Sequence, residues 1–227
     1  MPGSVLVMAG FSYERAIRAQ RILGSRVLSE APFFPRVERV RLAAGVDAAY
    51  WRGVQVASAV LVDCESGFLQ AYTCQSSKPS IPYIPGLLAF REAPVYLKAL
   101  GKLPVQPDVV LVDGHGLSHP RALGIATHIG LVLGKPTIGV AKKPLYGREE
   151  VVEGRRIIVA HGMPVGEVIE TPSGSRLYVS IGYKIKLEDA VRIVRSLLRE
   201  NIKLPLPLHL ADTYSKNKCM KELRIKP

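Results

Sequence analysis

Three carboxylates in this 227-residue chain, Asp47, Glu92 and Asp113, are placed where they could do chemistry. Asp47 lies within an apolar, β-rich stretch in which Val40, Leu42, Ala44 and Val46 alternate onto one face, leaving Asp47 on the other. An acid inside a buried strand costs much free energy unless it is paired or ligating. Asp113 closes an unbroken apolar run over residues 109–112, and Glu92 stands at the predicted start of the helix between the two strands. Adjacent central strands would bring Asp47 and Asp113 together at one edge of a sheet. Carboxylates clustered this way repel unless a hard cation such as Mg²⁺ bridges them through oxygen. A cation held there activates water and stabilises the oxyanions of an in-line attack on a phosphodiester. Taken singly, Asp113 reads more simply as a turn residue before Gly114, and Glu92 as a first-turn acid complementing a helix dipole. Asp47 has no such simple alternative.

The elements that must position these acids follow from periodicity. Residues 12–28 read as a helix, with Ala16, Ile17, Gln20, Leu23 and Val27 on its inner stripe, Ser12 as cap, and Arg15, Arg18 and Arg21 forming a solvated or phosphate-contacting row. A proline-containing connector at 30–35 leads to strands at 40–50, 54–62 and 68–74, joined by turns short enough for antiparallel hairpins. Residues 75–86 contain Pro79, Pro82 and Pro85 and exclude regular structure. A helix is predicted from near Glu92, with Pro94 in its first turn. The run 109–112 has the character of a parallel strand buried on both faces. Gly114-His115-Gly116 turns the chain, a helix is predicted from Pro120 to about Leu133, and residues 136–141 form another buried strand. Further on, 156–160 and 176–183 read as a second hairpin, 187–200 as an amphipathic helix and 210–216 as a short one. One α/β domain over residues 1–227 accounts for this order, which contains no internal repeat.

Lysine and arginine total 31 against 19 acidic residues, a net charge of +12. Such a surplus points to polyanionic partners, because each neutralised phosphate releases condensed counterions. Hydrophobic residues make up 48% and charged residues 22%, which excludes a disordered chain. No apolar run is long enough for a membrane span, and residues 1–11 have neither the basic start nor the long apolar core of a secretory signal. A cytoplasmic monomer is expected. Cys64, Cys74 and Cys219 form no CxxC pair, and Cys64 and Cys74 fall at opposite ends of one predicted strand, so reduced thiols are expected.

Local sequences sharpen this reading. Gly45-Val46-Asp47, the stretch Pro82-Tyr83-Ile84-Pro85-Gly86-Leu87-Leu88-Ala89-Phe90-Arg91-Glu92, Asp113-Gly114-His115-Gly116 with His119-Pro120-Arg121 and Gly124, and Gly139-Val140-Ala141-Lys142 occur in that order. Together they resemble the endonuclease V family from about residue 40 to the C-terminal segment. The resemblance implies a ribonuclease H-like α/β fold, a mixed sheet of antiparallel hairpin strands and parallel strands flanked by helices. It implies that Asp47, Glu92 and Asp113 hold a catalytic Mg²⁺, which Mn²⁺ can replace, and that Lys142 lies near the reacting phosphate, with Lys143 a competing candidate. Asp212 occupies the place of a further family acid. His209 stands where many relatives carry arginine, so no role transfers to it.

The family reading also makes Pro82, Tyr83, Ile84 and Pro85 a rigid wedge that unstacks bases beside a lesion. Leu87, Gly86, Gly114 and Gly116 would then border a pocket for the displaced base, since glycine backbone can approach a planar ring closely. His119 lies nearby or serves as a packing and capping residue, and His128 reads as structural. The implied activity is cleavage of the second phosphodiester 3′ to deoxyinosine in DNA. Inosine-containing RNA is the alternative substrate, a non-catalytic lesion-binding module an alternative class, and another ribonuclease H-like enzyme such as a resolvase would lack the proline-tyrosine wedge.

Overall fold

The structure, a computed structural model, describes residues 11–225, so the stretch 1–11 read above lies outside it except for Phe11. Helix α1 (Tyr13–Glu30) begins at Ser12, whose hydroxyl accepts from the Arg15 amide as a cap should. Strands β1 (Leu42–Trp51), β2 (Val54–Asp63) and β3 (Leu69–Ser77) form an antiparallel meander. Its first turn places Arg52 and Gly53 at φ +46° and +80°, the two left-handed residues that a two-residue hairpin needs. After α2 (Leu88–Leu100), β4 (Val109–Asp113) pairs in parallel with β1. After α3 (Ile125–Leu133), β5 (Thr137–Ala141) pairs in parallel with β4. Strands β6 (Arg148–Val152), β7 (Arg155–Ala160), β8 (Met163–Glu170) and β9 (Arg176–Tyr183) extend the sheet, and α4 (Leu187–Ser196), α5 (Leu206–Lys216) and α6 (Lys218–Glu222) complete the chain. The nine strands lie in the order β3-β2-β1-β4-β5-β9-β8-β7-β6. This is the mixed sheet expected of a ribonuclease H-like fold.

Both faces of the central strands are buried. Ala44, Val46, Val110 and Val112 pack with α2 and α3, whereas Ala43, Leu111 and Val140 pack with α4, α5 and the end of α1. Gly45 fixes the closeness of α5, because a β-carbon there would stand 2.2 Å from the Pro207 carbonyl oxygen. Among the described residues no helix is long and apolar enough to cross a membrane.

Several expectations are corrected. Helix α2 starts at Leu88, so Pro94 lies inside it and deprives one carbonyl of its helical partner. Helix α3 starts at Ile125 rather than Pro120, because Ala122 takes a left-handed φ of +50° that a helix cannot contain. Strands β7 and β9 do not pair with each other: β8 lies between them, its sequence disguised by Pro164 and Gly166. Helix α4 ends at Ser196, and α5 begins at Leu206 behind Pro205. The thiols are not all reduced. Cys74 on β3 is bonded to Cys219 on α6 across 145 residues, and Cys64 alone is free. Comparing neighbouring strands could not show that the C-terminal helix returns to the first sheet edge.

Candidate active site

Strand register builds the site. Val46 of β1 lies opposite Val112 of β4, so the next residues along both parallel strands are Asp47 and Asp113, on the same face. Asp113 lies opposite Val140 of β5, and two residues further Lys142 returns to that face. Its ammonium bonds Asp113 Oδ2 at 3.0 Å. Helix α5, set down on Gly45, brings Asp212 against Asp47. Glu92 comes from α2 on the opposite layer, and its two carboxylate oxygens accept from the hydroxyls of Tyr50 (2.7 Å) and Tyr96 (3.0 Å).

The electrostatics follow from this crowding. Asp47 is only 8% exposed, and burial, followed by repulsion from Asp113, pushes its pKa up to about 8. Asp212 adds to the rise. Burial works against Asp212, but the hydrogen bond from Lys216, with Asp47 after it, brings its pKa below the ordinary value. Burial raises Glu92, with the tyrosine hydroxyls opposing it and Asp113 adding to it. Burial opposes the Lys142 ammonium, yet Asp113, Asp47 and Asp212 raise its pKa, so it stays charged.

Among the described residues no three acidic, histidine or cysteine side chains close around one point as a finished cation cage. What fits a hard cation is the chemistry of the donors. Asp47, Asp113 and Asp212 offer carboxylate oxygens close enough to repel one another, a crowding that a divalent ion would relieve. Glu92 joins electrostatically through Asp113.

Beside Asp113 and Lys142 opens a cavity of about 380 Å³. Gly86, Gly114, His119, Leu123, Gly124 and Ile125 line much of it, with Tyr83 at its border. Tyr83 is 66% exposed and Pro82 and Pro85 are exposed with it, whereas Ile81 and Leu87 are buried against Ala16 of α1. Tyr83 therefore stands on a loop anchored at both ends, with Leu87 serving as an anchor beneath the surface. Gly116 lies outside the lining: its amide donates to Ser180 Oγ at 2.8 Å, and a β-carbon would stand 1.9 Å from the Ile181 carbonyl oxygen. It lets the turn close on β9.

His119 is a clamp. Its Nε2 and the Arg121 guanidinium both bond the Gly86 carbonyl, at 3.1 and 2.9 Å, and its Nδ1 accepts from the Arg121 amide. Burial and the nearby Arg121 charge drop its pKa to about 4, so the ring is neutral. His128 packs edge-on against Phe90, in keeping with a structural role.

Sequence reasoning missed Gln20, which is fully buried and donates to the carbonyls of Gly86 and Leu123 while accepting from Arg121 Nε. The signal was a polar residue in the inner stripe of α1. Tyr96 was equally legible, one helical turn beyond Glu92. His115, whose Nε2 bonds the Lys143 carbonyl, also borders the cavity and was read only as part of a turn.

Comparison with known proteins bears on family and fold. A family model described as Endonuclease V matches residues 24–213. An Endonuclease V from Desulfurococcus amylolyticus is 65% identical over 218 residues, covering 95% of this chain and 100% of that protein. The crystal structure of Endonuclease V from Streptomyces avermitilis superposes with a TM-score of 0.82 at 35% identity, over 98% of this chain and 100% of its own. That of Ciona intestinalis Endonuclease V, in complex with a 24mer DNA containing an inosine followed by a ribo-adenosine, gives 0.77 at 25% identity over 93% and 98%.

Proposed function

Since the chain belongs to the endonuclease V family, we propose that it is a metal-dependent endonuclease that recognises deoxyinosine in DNA and hydrolyses the second phosphodiester bond on its 3′ side. The observation that carries this reading is the base-sized, largely apolar cavity opening directly beside Asp113 and Lys142. The inosine-containing strand bound by the Ciona protein supports it.

Each residue then has a task. Tyr83, with Pro82, Ile84 and Pro85, wedges the stacked bases apart, and the proline-limited loop loses little entropy in doing so. The displaced base enters the cavity, where Gly86 and Gly114 leave the backbone bare. Unstacking costs a few kcal/mol, least for a weakly paired base. Asp47, Asp113 and Glu92, with Asp212, would hold Mg²⁺ or Mn²⁺. The chemistry supplied by the bound ion is activation of water and compensation of charge on the phosphate oxygens. Lys142 keeps its proton and presents a fixed positive charge where the reacting phosphate gains negative charge. Tyr50 and Tyr96 keep the Glu92 carboxylate in one orientation.

A ribonucleotide follows the inosine in the Ciona complex, so inosine-containing RNA is the second substrate to test. Duplex DNA with one deoxyinosine, the matching RNA and undamaged controls are incubated with Mg²⁺ or with EDTA. The expected result is Mg²⁺-dependent cutting at the second bond 3′ of the lesion. Asp47→Ala and Asp113→Ala should each lower kcat by at least about a hundredfold, the scale of losing one preorganised electrostatic group. Binding without cutting in every condition would leave a lesion-binding module instead.

A further inference from the structure

Lys142 borders a second cavity, of about 640 Å³, on the side away from Gly86 and Gly114. It shares Lys142 and Asp212 with the catalytic cluster, and Arg176, Lys203, Lys216 and His209 add to its wall. The four lysine and arginine side chains face one carboxylate. Lys216 is committed to Asp212, whereas Arg176 reaches Glu170 only at 4.0 Å and Lys203 is exposed. Half-buried Ile202, with the buried Leu177 and Leu204 behind it, supplies apolar surface beside them.

Cations around an apolar floor suit a single nucleic-acid strand, whose phosphates take the charges while its bases cover the hydrophobic surface. The location gives direction. A strand with its lesion base in the first cavity and its reacting phosphate at the carboxylates continues, on the 3′ side, past Lys142 and Asp212. We propose that the second cavity is the subsite for the strand immediately 3′ of the cleaved bond, with Arg176 and Lys203 on its phosphates and the apolar floor under its first base. The proposal rests on the deoxyinosine reading for its direction.

The test uses two single-stranded deoxyinosine substrates identical on the 5′ side, one ending a single nucleotide beyond the cut and the other ten nucleotides beyond. The long substrate should show the lower KM. Its dependence of log KM on log salt should be steeper by about 1.4, two phosphates at roughly 0.7 each for a single strand. In Arg176→Glu/Lys203→Glu both differences should vanish, and in Lys203→Glu alone they should be halved. Lys98→Glu/Lys102→Glu, an equal charge change at exposed positions at and just beyond the end of α2, should keep both. Binding of a lesion-free single strand in EDTA, followed by fluorescence anisotropy, should weaken in the same two variants and not in the control. A flank effect that is absent from the wild type, or that survives in Arg176→Glu/Lys203→Glu, overturns the subsite even if cutting is inosine-specific. Wild-type protein that cuts inosine and adenine strands alike, or cuts neither, overturns the lesion reading. The anisotropy comparison then still decides the subsite.

Discussion

The two cavities that meet at Lys142 are built from opposite materials. The smaller has bare backbone and apolar side chains over much of its wall, with Asp113, Lys142 and Lys143 to one side, and one of its two histidines, His119, is held neutral by burial and Arg121. The larger is walled by cations and has its apolar surface underneath. A planar base is held by stacking and by hydrogen bonds to its edge, and it loses affinity wherever its polar edge is left unpaired. A phosphate is drawn by exposed cations, an attraction that salt screens. On the functions proposed for them, selectivity and strand affinity belong to different walls, and a perturbation of one should be separable from the other.

The largest separable effect on cutting should come from Gly114→Ala. Gly114 has φ +143°, and a β-carbon there would stand 2.6 Å from Ile125 Cγ2, so the wall of the smaller cavity must distort. Backbone strain of about 1–3 kcal/mol translates into roughly a five- to hundredfold loss of kcat/KM on inosine substrates. The gain from a long 3′ flank should survive, and a matching loss of that gain would break the comparison. Next in size is the carboxylate cluster beside Lys142, the residue the two cavities share. Asp47, pushed up to about 8, holds a proton in the folded state that the unfolded chain has already lost above its ordinary value near 3.8. Across that window folding stability falls as pH rises. His119, down to about 4, works in the opposite sense, but only below its ordinary 6.5. Thermal melts of metal-free protein between pH 6.5 and 8 should therefore show Tm falling by several degrees, with Asp47→Asn flattening the slope and Mg²⁺ raising Tm most at the alkaline end. The smallest effect on cutting should come from Cys74→Ser, which frees α6 behind the α5 wall of the larger cavity. Hydrogen exchange should quicken in α5 and α6 and remain unchanged around Gly86 and Leu123.

The same contrast governs how much could be read from the chain. Asp47 was legible because a period-two strand carries an acid where burial forbids an idle one, whereas Asp113, which alone reads as a turn residue, took its weight from the motif around it. The irregular loop that carries Tyr83 was legible from Pro79, Pro82 and Pro85, although β3 runs on to Ser77 where the prolines led us to expect no regular structure. Its reading as a wedge came from the family resemblance. These signals are local. The larger cavity is assembled from Lys142, the β8–β9 turn, the segment before α5 and α5 itself, and no short-range pattern joins them. Strand β8 was hidden because Pro164 and Gly166 look like breakers, although Gly166 is required where a β-carbon would stand 2.5 Å from the Val179 carbonyl oxygen. The start of α3 depended on the backbone of Ala122, and the disulfide on a helix returning from the far end of the chain. Tertiary placement decided all three.

Trp51 is the only tryptophan in the chain, and it lies at the end of β1, four residues beyond Asp47. Its ring packs in the small cluster that contains Cys74, Cys219 and Met220. A disulfide quenches nearby indole emission, so the protein carries a built-in optical probe of its own C-terminal docking. Intrinsic fluorescence, with no added label, therefore follows α6 as it seats against the first sheet edge or is released from it.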